Sequence, residues 1–251
     1  MKAIILGCGT STGVPRIDGA WGACDPTNPK NRRSRGSILV EHEDTRVLVD
    51  TSPDLRSQFL ANGLTWVSAV VWTHDHADQT HGADDLRILA YTSKHRVPAW
   101  GDDFTLDRLK RKFGYCFETI GGYPAIIEPH RIDGAFHVGS IPIRPFIQDH
   151  GSIHSLGFRF GDELAYSNDV VNLNEEAFEA LKGVKVWIVD AMRYTPHPTH
   201  SHLERTLEWI ERVQPARAIL TNLHIDMDYE ELRAKLPGHI EPAYDGLVIQ
   251  C

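Results

Sequence analysis

Thr73-His74-Asp75-His76-Ala77-Asp78-Gln79-Thr80-His81-Gly82 follows directly on the apolar run Ala69-Val70-Val71-Trp72. A short apolar run of this kind reads as a buried strand. Along an extended backbone, side chains two apart point the same way. His74 and His76 therefore leave the strand end with their imidazoles on one side. Asp78, two residues further, adds a hard oxygen. Two imidazoles and a carboxylate at a loop mouth are a standard way to hold Zn²⁺, Mn²⁺ or Fe²⁺. The competing reading is a surface loop that is merely rich in histidine. The strand-then-H-x-H-x-D order favours the ligand reading.

Three more segments have the same form, an apolar strand ending in a metal-type side chain. Ile141–Ile147 runs into Gln148-Asp149-His150, Leu164–Ser167 into Asn168-Asp169, and Ala218–Thr221 into Asn222-Leu223-His224. Any one alone is an ordinary turn signal. Together they place ligand-type residues at several strand ends, where a rigid site draws its groups.

Further short strands are expected at Ala3–Leu6, Ser37–Glu41, Arg46–Asp50, Ala69–Thr73, Gly157–Phe160, Val184–Asp190 and Leu247–Gln250. Helices are expected at Asp54–Asn62 (ending at Gly63), Asp84–Ser93, Thr105–Phe113 (ending at Gly114), Asn174–Leu181, Ser201–Val213 and Asp228–Leu236. Several strands precede the first long helix. That order predicts an α/β fold of two mixed sheets with outer helices rather than a strictly alternating parallel sheet. No linker, repeat or low-complexity stretch appears, so residues 1–251 read as a single domain.

His74, His76, Asp78, His150, Asp169 and His224 stand in the order and context of the metallo-β-lactamase superfamily, which the whole chain resembles. The resemblance implies an αββα sandwich with a dinuclear metal site at one edge. It implies that His74, His76 and His150 hold a first ion, Asp78 and His224 a second, and that Asp169 bridges them. Asp50 is implied as an orienting partner. The chain departs from the superfamily's H-x-H-x-D-H pattern in having Gln79 at the last histidine. A neutral amide is a poor zinc ligand, so the cofactor is expected to be one or two divalent ions (Zn or Mn), with the second site weak, filled with help from His81, or empty.

Within the superfamily, Leu6-Gly7-Cys8-Gly9-Thr10-Ser11-Thr12-Gly13-Val14-Pro15, Trp21-Gly22-Ala23-Cys24 and Arg32-Arg33-Ser34-Arg35-Gly36-Ser37 resemble the cyclic-phosphate phosphodiesterases of the carbon–phosphorus lyase pathway. Pro198-Thr199-His200-Ser201-His202-Leu203 is similar to their catalytic segment. This resemblance implies that His200 is the catalytic residue. Those enzymes also carry a cysteine-rich zinc site near Cys24, of which only Cys24 remains, so no structural zinc is expected. Gly7-x-Gly9-x-x-x-Gly13 is off the dinucleotide fingerprint by one residue and is followed by no βαβ unit. It reads instead as a close backbone passage. The basic cluster suggests Arg33 and Arg35 as a phosphate clamp, since the guanidinium fork fits phosphate oxygens. His202 is a candidate substrate contact. The remaining histidines sit in no motif.

Composition bounds these readings. The 251 residues carry 26 Lys+Arg against 34 Asp+Glu, a net charge of -8. That argues against a nucleic-acid polymer as partner, and so against tRNA 3′-processing, because such a role needs a broad basic face. Four scattered cysteines make neither a zinc ribbon nor a disulfide framework and suggest a reducing, cytoplasmic setting. No apolar run reaches the ~20 residues of a membrane span. The expected activity is a metal-dependent phosphodiesterase acting on a small, cyclic-type phosphate ester through an activated hydroxide. Lactone or thioester hydrolysis is the alternative on the same scaffold. A metal-binding sensor without turnover is the alternative outside enzymes. A homodimer is left open.

Overall fold

The computed structural model describes residues 1–251. The strands are β1 (Lys2–Gly7), β2 (Ser37–His42), β3 (Thr45–Val49), β4 (Ala69–Val71), β5 (Val97–Gly101), β6 (Ile127–Arg131), β7 (Phe136–Val138), β8 (Ile141–His150), β9 (Ile153–Phe160), β10 (Leu164–Ser167), β11 (Val186–Asp190), β12 (Arg217–Thr221), β13 (Ile240–Pro242) and β14 (Val248–Gln250). The helices are α1 (Leu55–Ala61), α2 (Ala77–Thr80), α3 (Leu86–Ser93), α4 (Asp103–Phe117), α5 (Glu175–Leu181), α6 (Leu203–Val213) and α7 (Tyr229–Lys235).

The strands form two seven-stranded sheets, ordered β14-β1-β2-β3-β4-β5-β6 and β13-β12-β11-β10-β9-β8-β7. Each is mixed in the same way. In the first, β14, β1, β2 and β3 pair antiparallel, and β3 to β6 pair parallel. In the second, β7 to β10 pair antiparallel, and β10 to β13 parallel.

The period-2 alternation of the strands builds the layers. Ala3, Ile5, Ile38, Val40, Val47 and Val49 face inward and meet Phe158, Phe160, Tyr166, Ile188 and Ile219 of the other sheet. Leu6, Leu39, Leu48, Val70 and Trp72 face outward and pack with Leu55 and Phe59 of α1, Leu86 of α3 and Leu109 of α4. Trp187, Val189 and Leu220 do the same beneath Ala177 of α5, Trp209 and Ile210 of α6, and Leu232 of α7. Fully burying such aliphatic side chains stabilises the fold by roughly 1.5–3 kcal/mol each before chain entropy is counted. The two fully buried tryptophans each find a hydroxyl for the indole N–H, Trp72 on Thr51 and Trp187 on Ser167, both at 3.0 Å. The expected αββα sandwich is the fold.

Most expected elements form within a few residues of their predicted ends. Gly63 takes φ +62° just beyond α1, and the Asn174 side chain accepts from the Ala177 N–H at the start of α5. Helix α4 differs. It runs on through Gly114 to Phe117 with a kink at Phe113, because Cys116 and Phe117 are buried in the outer core and the Cys116 carbonyl accepts from Ile126. Packing there outweighs the roughly 1 kcal/mol cost of a helical glycine. Strands β5, β6, β7 and β13 are additional to the sequence reading. β6, β7 and β13 lie at or next to sheet edges, and β5, β6 and β13 contain proline, which weakens the sequence signal.

One consequence places the site. Strands β3 and β4 run parallel, so Asp50 and the loop from Thr73 emerge from the same edge. In the other sheet β8, β10, β11 and β12 all point one way, bringing His150, Asp169, Asp190 and Asn222 to one edge. The two edges are tied together by Leu156 N–H to Thr73 O and Leu223 N–H to Cys8 O, both 2.8 Å. Gly7 lets the end of β1 pass close to the Arg35 backbone, since a Cβ there would lie 2.1 Å from the Arg35 carbonyl.

Candidate metal centre and active site

The loop after β4 is held before it reaches any ligand. Asp75 is buried and receives Arg108 Nε at 2.7 Å and Lys112 Nζ at 2.8 Å, both from α4. The Thr80 hydroxyl donates to His76 O at 2.7 Å. The backbone from His74 to Thr80 is thereby fixed on both sides.

His74, His76 and His150 come together, with one ring nitrogen from each within 4.8 Å of the others. Hydrogen bonds set which nitrogen faces inward. Asp50 takes the Thr73 N–H at 2.8 Å and the Thr73 hydroxyl at 2.9 Å, and Thr73 Oγ1 lies 3.0 Å from His74 Nδ1. A hydroxyl that gives its only proton to Asp50 must accept from His74 Nδ1–H. His74 Nε2 then carries the lone pair, and it is buried without a partner. His150 Nδ1 donates to the Thr199 carbonyl at 2.8 Å, which turns its Nε2 towards His76 Nδ1 at 3.3 Å. Burial pushes the Asp50 carboxyl up, against the pull of Thr73's bonds, with Asp169 and Asp78 adding to the rise. A cation at the imidazoles opposes that rise and favours the ionised acceptor.

Burial drives the pKa of His74 well down, and the charges of His150 and His76 act in the same sense. Burial likewise takes His150 down to about 4. These rings are neutral at physiological pH, as metal ligands must be. Three converging imidazoles and an orphaned, inward-facing Nε2 fit a divalent ion.

His200 lies against this cluster. Its ring centre is 4.9 Å from that of His150, and it forms a second donor group with His150 and Asp169. Its Nδ1 is 3.0 Å from Asp190 Oδ2 and 3.4 Å from Asp169 Oδ1. Burial acts to lower its pKa, but the bond and charge of Asp190, with the charges of Asp169 and Asp78, outweigh it and hold the pKa at about 9. Asn222 Nδ2 also donates to Asp190 Oδ2 at 3.2 Å. Three of the six non-glycine residues with left-handed φ are Asp50, Asp169 and Asn222, all at these strand ends. Such conformations are costly and collect where the surroundings impose them, as at functional sites.

The remaining expected residues are placed differently. Asp78 and Asp169 each accept from the Gln79 amide, at 3.2 and 2.8 Å. His224 stands outside the donor groups, with Nε2 2.7 Å from an Arg16 nitrogen and Nδ1 3.0 Å from Asp226. His81 packs edge-on against Phe113 and does not join the cluster. His202 precedes α6 and makes no side-chain hydrogen bond to the site.

The arginine clamp needs correction. Arg33 is 2% exposed and donates to Asn31, to the carbonyls of His224 and Met227, and weakly to Cys24 Sγ. Its guanidinium is spent on joining two loops in the interior, so it is not a substrate contact. Arg35 is paired with Asp54 at 2.9 Å, which cancels much of its charge, although it does line a cleft of about 620 Å³.

Sequence reading missed Asp190, Thr73 and Arg16. Asp190 carried a signal, since it closes an apolar strand in a metal-type side chain as the three chosen segments do. Arg16 carried none.

The Beta-lactamase superfamily domain matches residues 45–225, which hold His74, His76, Asp78, His150, Asp169, His200 and His224. The chain belongs to the metallo-β-lactamase superfamily. A crystal structure described as a new diphosphatase from the PhnP family superposes on the whole chain with TM-score 0.92 and 34% identity, over 97% of that protein. Zn²⁺-bound PqqB from Methylobacterium extorquens shares the fold over both full chains, with TM-score 0.80 and 16% identity. Among curated proteins, an octanoyltransferase of Porphyromonas gingivalis is 32% identical across 98% of this chain. The chain spans about half (51%) of that relative's length. No helix of this superfamily member is long and apolar enough to cross a membrane.

Proposed function

We propose that this superfamily member is a metal-dependent hydrolase of small phosphate diesters. The observation that carries the reading is the contrast between neighbouring imidazoles. His74, His76 and His150 converge, burial keeping His74 and His150 neutral, while His200, one ring away, is held protonated by Asp190.

His74, His76 and His150 are the residues that would hold the ion. When bound, a divalent ion supplies Lewis acidity and a water made acidic enough to serve as nucleophile near neutral pH. The chain's own residues do the rest. Thr73 and the Thr199 carbonyl fix the ring orientations of His74 and His150. Asp190 holds the His200 Nδ1–H, leaving Nε2–H as the proton for a departing alkoxide. Asp169 keeps that imidazolium beside the metal ligands.

The protonated His200 also ranks the substrates. An alkoxide is a poor leaving group and needs a proton. A thiolate, with a thiol pKa of about 8.5, does not. A retained acid therefore favours phosphate esters over thioesters. The 34% identity to a protein described as a diphosphatase supports phosphorus chemistry and adds the diphosphate linkage as a second reading. The net charge of -8 weighs against a polynucleotide substrate.

The test is a substrate panel on the zinc- and manganese-loaded chain: bis(p-nitrophenyl) phosphate, a sugar cyclic phosphate, a nucleoside diphosphate and an octanoyl thioester. The reading predicts turnover of a phosphate substrate that His200→Ala lowers while metal content stays the same. Thioester turnover alone would overturn it.

A further inference from the structure

The superfamily's second metal position draws on Asp78, residue 79, Asp169 and His224, and in this chain those residues are otherwise engaged. The Gln79 amide nitrogen donates to Asp78 Oδ2 and to Asp169 Oδ2. Only the NH₂ end of an amide can face two carboxylates, so this orientation is fixed by charge. A ligand-type nitrogen is thus replaced by a donor that occupies the carboxylate oxygens.

His224 is engaged from the other side. Arg16 lies 2.7 Å from its Nε2. A guanidinium has no acceptor, so Arg16 donates and the Nε2 lone pair is taken. Arg16 is itself anchored. Its N–H donates to Ala20 O at 3.0 Å, and its carbonyl accepts from Gly19 N–H at 2.9 Å, closing a tight turn. Its Nε is buried with no partner, so a ligand meets the guanidinium through the terminal nitrogen that does not face His224. His224 follows Asn222 by two residues, and Asn222 touches both Asp190 and His200. The cation therefore sits on the strand end that also supports the proposed acid.

We infer that the centre is mononuclear, held by His74, His76 and His150, and that Arg16 takes the place of a second metal as a fixed cation whose remaining terminal nitrogen receives a phosphoryl oxygen. The phosphoryl part rests on the proposed function; the mononuclear part does not. A guanidinium carries half the charge of a divalent ion but gives a phosphoryl oxygen a charge-assisted hydrogen bond. It also keeps its charge when metal is scarce.

The test combines metal counting with anion binding. The full chain is dialysed with excess Zn²⁺, freed of loose metal and analysed by elemental mass spectrometry. One zinc per chain is expected for the wild type, and two for the Arg16→Ala/Gln79→His double variant. Titration of the zinc-loaded protein with inorganic phosphate should show binding about tenfold or more weaker in Arg16→Ala, with partial rescue in Arg16→Lys. Two tightly held zinc ions in the wild type would overturn the inference, whatever the variants do. Phosphate binding unchanged by Arg16→Ala would overturn the role of Arg16. One zinc with Arg16-dependent phosphate binding but no turnover of any phosphate substrate would uphold the inference and remove the proposed function.

Discussion

The two halves of the site are built from the same kinds of residue and prepared for different tasks. In the half formed by His74, His76 and His150, hydrogen-bonding capacity is spent behind the rings, on Thr73 and the Thr199 carbonyl. Burial leaves His74 and His150 neutral, and the inward nitrogen of His74 is unpartnered. In the half formed by Asp78, Gln79, Asp169, His224 and Arg16, the Gln79 amide nitrogen is bonded to both carboxylates and Arg16 to His224 Nε2, while Gln79 Oε1 and Arg16 Nε stay unpartnered. Buried polar groups without partners are costly, so they persist where something else satisfies them. The first half is shaped for an ion. The second already contains its cation.

The largest expected effect comes from breaking the first half. His74→Ala removes the imidazole with the orphaned Nε2. It should abolish stoichiometric zinc retention and reduce phosphodiester turnover to background, read by elemental analysis and assay of the same sample. Retention of a full zinc equivalent would show that the three-imidazole account is wrong.

Next is the boundary between the halves. His200→Ala should lower turnover by about 10²–10⁴-fold, the usual worth of a positioned proton donor. Zinc content should not change. A loss of zinc instead would make His200 a ligand.

A smaller effect tests how the first half is oriented. Thr73→Val keeps shape and removes the hydroxyl that receives His74 Nδ1–H. Zinc affinity, measured by competition with a chelator, should fall by about 10–100-fold, as is usual for partners behind a metal ligand. Unchanged affinity would mean that the Asp50–Thr73–His74 chain does not orient the ring.

The gentlest probe is titration of the metal-free protein. Followed by NMR, His200 should titrate near 9, and His150 near 4. Because the folded-state pKa of His200 is raised, its contribution to stability is complete below about 6.5, its ordinary value, and is lost as pH rises through about 9. Asp190→Asn should bring the His200 value down and flatten that part of the stability curve. A His200 value near 6.5 in the unaltered metal-free protein would remove the stated contrast between the imidazoles.

These residues differ in how readable they were. The sandwich was legible because its strands are short apolar runs with hard polar ends, as at Ala69–Trp72 and Leu164–Ser167. The first half was legible because His74 and His76 are two apart on one extended segment, and His150 ends a strand of its own. The basic cluster misled because Arg33 and Arg35 look alike in sequence. Only the packing of Asn31, Met227 and His224 around Arg33 shows that it serves the interior. Arg16 and Gln79 lie 63 residues apart by their numbering and act on partners from the other sheet, a relation that no local pattern encodes. Asp190 was overlooked although its strand has the same form as the others, because a carboxylate that orients a histidine looks like a turn residue until the two meet.

The most direct measurement is anomalous diffraction at the zinc edge from crystals of the unaltered chain grown with excess zinc. The account predicts one strong peak per chain, among His74, His76 and His150, with Arg16 still donating to His224 and Gln79 still between Asp78 and Asp169. A second peak of comparable strength between Asp78, Asp169 and His224, with Arg16 displaced, would contradict it.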